Sequence, residues 1–190
     1  SFRDAPAALG ALSLAAGVAA LRGLRRLGLQ GLALKWPNDI VYGAKKLGGI
    51  LIDLRGEAAG PAYVVVGVGI NLRLPPAVKA ALAAEGLEAT DLAEIGPVGN
   101  VVPVRSLTAA ALVNELALAL EEFGARGMSA FADEWQGADA LANRAVRVLQ
   151  GGETLEGLAR GVDADGALLL DAGDGRRRIL SGEVSVRPVQ

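Results

Sequence analysis

The spacing of apolar residues begins with a helical period and then changes to that of strands. From Leu9 to Leu27 apolar residues recur every three or four positions, which is the period of an α-helix. Asp4 to Pro6 carry the acidic residue and the proline that are typical of a helix start, and Gly28 is suited to the helix end. Because this helix is apolar on nearly all sides, we predict that it is buried against a sheet.

A set of strands is predicted directly after this helix. Residues 32–36, 39–42 and 46–54 form short apolar runs that are bounded by proline or by turn residues. Residues 62–72 form a longer run of β-branched residues that is interrupted by Gly67 and Gly69. A continuous apolar run of this kind is typical of a central strand that is buried on both faces.

Residues 74–105 differ from their surroundings because they contain four prolines and no strong apolar period. Two weak helical pieces are predicted within them, near residues 76–85 and 90–95. A connection of this length in a compact domain is usually functional or mobile. We therefore expect the segment to be poorly ordered without a bound nucleotide.

Two helices are predicted after this connection. Ser106 is a suitable cap for a helix over residues 107–123, and a second helix lies near residues 128–136. The residues expected on the buried side of the first helix are Leu116, Leu120 and Phe123. Glu115 is expected on its more exposed side.

After residue 143 the pattern is that of short strands separated by glycine-containing turns. The predicted strands are residues 145–149, 154–162, 167–170, 178–180 and 184–187. Five short strands at this spacing are typical of a small closed or half-closed barrel. We place the boundary between the two parts of the chain near residues 137–143.

Composition limits the chemistry that the chain performs. Its 190 residues contain neither cysteine nor histidine, which excludes disulfides, thiolate nucleophiles, zinc fingers and triads that use histidine. The net charge of −2 gives no overall field that favours nucleic acid. The apolar stretch at residues 5–21 has too few large side chains for a membrane span, so we expect a cytoplasmic protein.

The first candidate for chemistry is the segment from Lys35 to Asp39. It places a lysine, a tryptophan, an asparagine and an aspartate where a proline forces a strand to end. A structural turn is the alternative, because asparagine and aspartate beside proline are good turn residues. From this segment alone the turn is the favoured interpretation.

Two further segments place polar groups beside glycines in strands. Lys46 precedes the pair Gly48 and Gly49, and glycine in a strand usually marks a bulge or the close approach of a ligand or another backbone. A lysine there is able to pair with a carboxylate or a phosphate, and an edge lysine that protects the sheet is an equal alternative. Residues 67–71 lack the third glycine of a dinucleotide-binding motif and end in an asparagine.

These three segments are successive in the sequence, so their strands are expected to be neighbours. Their ends then bring lysines, an aspartate, asparagines and glycine-flattened strand faces into one region. We interpret this region as a pocket for a nucleotide and a small carboxylic acid. For Trp36 a purely structural role in the core is the alternative.

The same segments resemble the catalytic core of the biotin protein ligase family, the biotin–[acetyl-CoA-carboxylase] ligases. The similarity rests on KWPNDIVYGAKKLGGILID at residues 35–53, VVVGVGINL at residues 64–72 and GEVSVR at residues 182–187. The resemblance implies an α+β fold, similar to class II synthetases, in which a mixed β-sheet packs against helices over residues 1–140. A small SH3-like β-barrel over residues 141–190 follows. The Gly-Arg-Gly-Arg-type loop of the family does not occur in this sequence, so the catalytic domain is expected to lack its N-terminal part.

The resemblance also implies a reaction and the residues that take part in it. The family activates biotin with Mg-ATP as biotinoyl-5′-AMP and transfers it to a lysine of a biotin carboxyl carrier protein. The implied catalytic residues are Lys46, Asp39 and Lys35. The implied biotin-binding residues are Lys46, Gly48, Gly49, Ile50 and Leu51. The implied ATP-binding residues are Trp36, Asn38, Gly67, Gly69, Asn71 and Arg187. Mg²⁺ is expected to be held mainly by phosphates and water, so no protein metal ligand is predicted.

Two other functions stay open at this point. A lipoate–protein ligase-like acyltransferase shares the fold and a central lysine, although the two core motifs favour biotin. The second alternative is a catalytically impaired module that binds biotin or the adenylate without turnover. For this chain we expect no nucleic-acid or membrane partner, and we leave a homodimer open.

Overall fold

The computed structural model describes residues 11–55, 63–96, 105–150, 153–180 and 185–188, which form two sheets and the helices around them. The helices are α1 (Leu12–Arg26), α2 (Pro76–Ala84), α3 (Leu92–Ile95), α4 (Arg105–Arg126) and α5 (Ala132–Ala138). The first sheet contains β1 (Leu32–Lys35), β2 (Asp39–Tyr42), β3 (Lys45–Arg55) and β4 (Tyr63–Ile70). The second sheet contains β5 (Ala145–Gln150), β6 (Glu153–Val162), β7 (Leu168–Ala172), β8 (Gly175–Ile179) and β9 (Ser185–Pro188). The α+β class expected from the sequence is confirmed. No helix within these described ranges has the length and apolar character needed to cross a membrane.

The first sheet has the strand order β1-β2-β3-β4, and all of its strand pairs are antiparallel. Gly43 makes the tight turn between β2 and β3 with a φ of 59°, a left-handed conformation that favours glycine. A bulge then shifts the register, so that Val41 pairs with Lys46 while Ile40 pairs with Gly48. Bulges of this kind re-aim side chains and are frequent beside active sites.

The position of β4 differs from its prediction. In the described part of the chain β4 pairs only with β3, so it ends the sheet. Its residues alternate between exposed and half-buried, with Tyr63 and Val65 exposed and Val66 and Val68 packed against the core. The prediction of a strand buried on both faces is therefore wrong for the described structure. A run of β-branched residues shows that a segment is a strand but does not show how many neighbours it has.

The predicted first helix is confirmed as α1, which covers the inner face of the first sheet. Nearly all of its residues are buried, as its apolar composition predicts. Gly17 allows this close packing, because a Cβ there would lie only 3.1 Å from Cδ2 of Leu34. The predicted helix start at residues 4–6 lies outside the described residues.

The predicted long helix is confirmed as α4, which packs against α1. Phe123 is buried and Leu116 and Leu120 are partly buried, as expected. Glu115 is also buried, and its carboxylate forms an ion pair with Arg26 at 2.7 Å. The prediction that Glu115 is exposed is therefore wrong, since a partner on another helix compensates its charge.

The two weak helical pieces of the predicted connection are confirmed as α2 and α3. The later part of that connection, residues 97–104, lies outside the described residues. The dependence of its order on nucleotide stays a prediction.

The second sheet has the order β8-β7-β6-β5-β9, again with antiparallel pairs, and the five predicted strands are confirmed. Its buried residues Val146, Leu168 and Ile179 belong to the same hydrophobic core as α1. Among the described strands no pairing joins β8 to β9, and the SH3-like barrel stays a prediction.

Candidate active site on the open face of the first sheet

Lys46 and Asp39 form an ion pair at the bulge between β2 and β3. The Nζ of Lys46 lies 2.5 Å from Oδ1 of Asp39. The lysine side chain is 52% exposed, whereas that of Asp39 is only 20% exposed. The carboxylate therefore holds the ammonium group from the protein side and leaves it accessible to an anion from solvent.

Three glycines form a flat strip beside this ammonium group. Gly49 lies opposite Gly69 in the sheet register, and Gly67 lies opposite Leu51, which is 70% exposed. A Cβ at Gly49 would lie 3.6 Å from the Lys46 Nζ, which is an ordinary contact. Gly67 and Gly69 also have room for a Cβ. The protein's own packing therefore does not require glycine at these positions, and the space above them is suited to a ligand. We call the surface formed by Lys46, Asp39, Gly49, Leu51, Gly67 and Gly69 the open face.

Gly48 and Ile50, which were predicted to bind biotin, point to the other side of the sheet. A side chain at Gly48 would collide with the carbonyl oxygen of Gly69, so β3 and β4 need glycine here in order to pair. Ile50 is buried in the core beneath α1. Of the predicted biotin-binding residues, only Lys46, Gly49 and Leu51 belong to the open face.

The side-chain amides of Asn38 and Asn71 hold the strands around the ion pair. Nδ2 of Asn38 donates to the carbonyl of Ile50 at 2.8 Å, and the Ile50 amide donates back to the Asn38 carbonyl at 2.9 Å. Nδ2 of Asn71 donates to the carbonyl of Thr90 at 3.0 Å and to that of Lys46 at 3.5 Å. Both asparagines thus have a structural role at the edge of the open face.

Trp36 lies in the core and not on the open face. Its side chain is 1% exposed, and its indole Nε1 donates a hydrogen bond to the carbonyl of Gly166 at 2.9 Å. The expected contact of Trp36 with ATP gains no support from this position. The structural alternative, a core tryptophan, describes it better, and the indole links the first sheet to the turn before β7.

Lys35 and Arg187 are the remaining predicted site residues. Lys35 ends β1 opposite Asp39 in the register and borders, with Asp39, a small surface depression. Arg187 belongs to β9 and lies opposite Arg147 of β5, and its side chain lies outside the described part of the structure. The structure therefore brings Lys35 close to the ion pair and gives no such proximity for Arg187.

The sequence reasoning missed Asp91, whose side chain is only 3% exposed. Its carboxylate accepts hydrogen bonds from the backbone amides of Leu74 and Glu94, both at 2.9 Å, and from Nζ of Lys79 at 2.7 Å. Burial raises the pKa of Asp91, but these hydrogen bonds outweigh it and leave the pKa below its usual value. Asp91 caps α3, and an aspartate followed three residues later by Glu94 is the sequence signal that was available.

No group of three or more carboxylates within the described ranges is arranged to hold a metal ion. The chemistry that the open face supports is the pairing of one accessible ammonium group with an anionic ligand on a flat, partly apolar surface.

Two protein-family models match parts of this chain. The model of the biotin/lipoate A/B protein ligase family matches residues 3–71, and that of the biotin protein ligase C-terminal domain matches residues 142–187. A biotin–[acetyl-CoA-carboxylase] ligase from Paracoccus denitrificans is 30% identical over 188 residues, which are 97% of this chain and 71% of that protein. The chain belongs to the biotin protein ligase family.

Other members of the biotin protein ligase family are longer than this chain. The bifunctional ligase/repressor BirA of Escherichia coli K12 is 34% identical over 189 residues, which cover 100% of this chain and 57% of that protein. A biotin–[acetyl-CoA-carboxylase] ligase of Mycobacterium tuberculosis is 34% identical over 180 residues, which cover 93% of this chain and 62% of that protein. This family member thus spans little more than half the length of several curated relatives.

Solved structures of the family share the fold. The crystal structure of biotin protein ligase from Aquifex aeolicus matches with a TM-score of 0.75 at 24% identity and covers 94% of this chain and 74% of that chain. The complex of the same protein with biotin and ATP matches with a TM-score of 0.76, also at 24% identity, and covers 94% of this chain and 71% of that chain. At 24% identity these structural matches show a shared fold and no more.

Proposed function

We propose that this chain carries the core of an ATP-dependent ligase that activates biotin as biotinoyl-5′-AMP and transfers it to a lysine of a biotin carboxyl carrier protein. The observation that supports this most directly is the exposed Lys46 ammonium beside the glycine strip of the open face. A flat, partly apolar strip that ends at a cation fits a fused-ring acid such as biotin.

In the first step an oxygen of the biotin carboxylate attacks the α-phosphorus of ATP, a new P–O bond forms, and pyrophosphate leaves. Two anions must meet, so a positive group between them lowers the barrier. Lys46 is suited to this role, since a preorganised donor at a developing charge is typically worth about 3–4 kcal/mol. Mg²⁺ accompanies ATP and is held by its phosphates and water.

In the second step the amine of the carrier lysine attacks the carbonyl carbon of the mixed anhydride, and AMP leaves with the electron pair of the broken C–O bond. The amine loses a proton, and Asp39 is the carboxylate of the open face that is able to accept it. The contact between Asp39 and Lys46 also favours a role in orienting the lysine. Both roles belong to the proposal.

The nucleotide is proposed to lie at the end of the open face that Asn38, Asn71 and Lys35 border. The ATP-binding roles of Trp36 and Arg187 stay predictions without support from their positions. The ATP-binding roles of Gly67 and Gly69 also stay predictions, since both lie in the strip that is proposed for the biotin rings. The division into a catalytic domain (residues 1–140) and a C-terminal domain (residues 141–190) also stays a prediction. So do the carrier partner, a homodimer and the cytoplasmic location.

Incubation of the purified chain with biotin and radiolabelled Mg-ATP tests the proposal. We expect formation of biotinoyl-5′-AMP, detected by thin-layer chromatography, and near-complete loss of it in Lys46→Met. Lys45→Met is the matched control, because its partner is Glu94 and not the ion pair of the open face.

Two results would contradict the proposal. Formation of the lipoyl adenylate in place of the biotinoyl adenylate would favour the lipoate-ligase alternative. Calorimetric binding of biotin without any adenylate would favour a binding module.

A further inference from the structure

The backbone of Lys46 is held on both of its edges. On one side Lys46 pairs with Val41 of β2. On the other side, where the pairing with β4 has ended, its amide donates to the carbonyl of Glu88 at 2.8 Å. Its carbonyl accepts from the amide of Thr90 at 2.9 Å. Because both peptide groups of Lys46 are fixed, the direction in which its side chain leaves the sheet is fixed as well.

The segment over residues 88–92 that supplies these bonds is itself anchored by Asp91. The carboxylate joins three separate pieces of chain, since its donors are Leu74, Glu94 and the side chain of Lys79 on α2. The segment is also bonded to the end of β4, where the Leu92 amide donates to the Asn71 carbonyl at 2.9 Å. The side chain of Leu92 also anchors the segment, since it is fully buried in the hydrophobic core. The polar attachments of the segment in the described structure are made by Asp91, by Asn71 and by the backbone of Lys46.

Capping of α3 does not by itself explain an aspartate at this position. The helix has only four residues, and a serine would accept the Glu94 amide equally well. A buried carboxylate is costly unless it is fully paired. The bonds that an aspartate adds, to Leu74 and Lys79, are those that fix the 88–92 segment in place.

We propose that Asp91 is a positioning residue for Lys46, which it holds in place through the 88–92 segment. The inference rests on the proposed function, because it concerns the geometry of the lysine that acts in adenylate formation. A loosened segment releases one edge of Lys46 and lets the ammonium group move relative to Asp39 and to the ligand. Misplacement by about 1 Å costs as much as 100-fold in rate.

The test compares the two half-reactions in Asp91→Ser and Lys79→Met. Asp91→Ser keeps the cap of α3 and loses the bonds to Leu74 and Lys79. Lys79→Met keeps the carboxylate of Asp91 and removes the partly exposed ammonium group that pairs with both Asp91 and Glu94. We expect both variants to lower the rate of adenylate formation by about tenfold or more. Transfer from supplied biotinoyl-5′-AMP to a carrier lysine should change much less, because the mixed anhydride no longer carries the biotin carboxylate charge that opposes the phosphate in the first step.

A purely structural role predicts a different result. It would lower the rates of both half-reactions in proportion to the folded fraction. Ile179→Val, a core variant of the second sheet, is the control, and it is compared with Asp91→Ser at a matched loss of melting temperature. Equal loss in both half-reactions, or full adenylation activity in Asp91→Ser, would overturn the proposal.

A crystal structure of Lys79→Met separates this inference from the proposed function. We expect the 88–92 segment to move and the Lys46 ammonium to shift relative to Asp39. An unchanged segment and an unchanged Lys46–Asp39 distance would overturn the positioning role, whether or not the wild-type chain forms biotinoyl-5′-AMP. Absence of that adenylate in the wild type would instead contradict the proposed function alone.

Discussion

Gly48 and Gly49 are adjacent in β3 and face opposite sides of the sheet. Gly48 is required by the fold, because β4 passes too close for any side chain. Gly49 has room for a Cβ and lies beside the ion pair of Lys46 and Asp39. Gly48 is therefore needed for stability, and Gly49 keeps the open face flat beside the ion pair.

The variants Gly48→Ala and Gly49→Ala separate these two roles. Gly48→Ala should lower the free energy of unfolding by about 1–3 kcal/mol, as expected for overpacking against a rigid backbone. Gly49→Ala should leave the melting temperature almost unchanged and raise the KM for biotin. Thermal unfolding and steady-state kinetics measure the two effects. A Gly49→Ala variant with unchanged KM would argue against a ligand on the glycine strip.

Asp39→Asn tests the proton acceptor of the second step. The amide cannot accept the proton and weakens the hold on Lys46, so both half-reactions should slow. Transfer should fall at least as much as adenylation, by about 100-fold or more if Asp39 is the general base. Single-turnover measurements of each step decide this, and a loss confined to adenylation would leave Asp39 with the orienting role alone.

The lysine, the aspartate and the glycines attracted notice because their residue types are unusual within strands. Only the family resemblance made them predicted site residues. The sequence analysis misplaced Glu115 and missed Asp91. Each is a buried carboxylate whose charge is compensated by a cation on another helix. Periodicity expresses the average preference of a charged residue for solvent and contains no information on such a partner.

At the scale of elements, the segment between β1 and β2 is fixed from the second sheet. The indole of Trp36 donates a hydrogen bond to the carbonyl of Gly166. Gly166 has a φ of 82°, and a Cβ there would lie 2.7 Å from the Cα of Ala11, so only glycine fits this position. On the other side Asn38 binds β3. A contact between residues 130 positions apart in the sequence is beyond any local pattern. For this reason the sequence predicted an ATP-binding role for Trp36, with a core position only as the alternative.

Trp36→Phe removes this bond while it keeps an aromatic ring in the core. The Gly166 carbonyl would lose its donor, so the free energy of unfolding should fall by about 1–3 kcal/mol. Adenylate formation should slow even at temperatures at which the variant is fully folded, because Asp39 follows Trp36 closely in the chain. An unchanged rate in the folded variant would show that the second sheet does not influence the open face through this bond.

The ion pairs of α2 and α3 make stability depend on pH. Hydrogen bonds from Lys45 and then from Lys79 lower the pKa of Glu94 from 4.5 to about 2. A carboxyl group whose pKa is lowered by folding stabilises the fold above its unfolded pKa and loses this contribution as the pH falls toward the folded value.

Glu94→Gln should therefore be less stable than the wild type at pH 6. The difference should shrink between about pH 4.5 and pH 2 as the wild-type carboxylate becomes protonated. Denaturant unfolding across this range measures it. A difference that stays constant with pH would contradict the lowered pKa.

At the scale of the whole molecule, the two sheets share one hydrophobic core around α1. The strands and helices were predictable because prolines and glycines mark their ends and apolar spacing marks their type. The exposure of β4 was not, because it depends on which strands lie beside it in space. The family resemblance supplied the proposed reaction and the residues implied in it. The structure shows which of those residues lie together on the open face.

The central claim is that the Lys46 ammonium receives the carboxylate of biotin on the open face. A crystal structure of this chain soaked with biotin tests it most directly. We predict the biotin carboxylate within hydrogen-bond distance of the Lys46 Nζ, with the ring system over Gly49, Gly67 and Gly69. Biotin bound elsewhere, with its carboxylate far from that amine, would contradict the account.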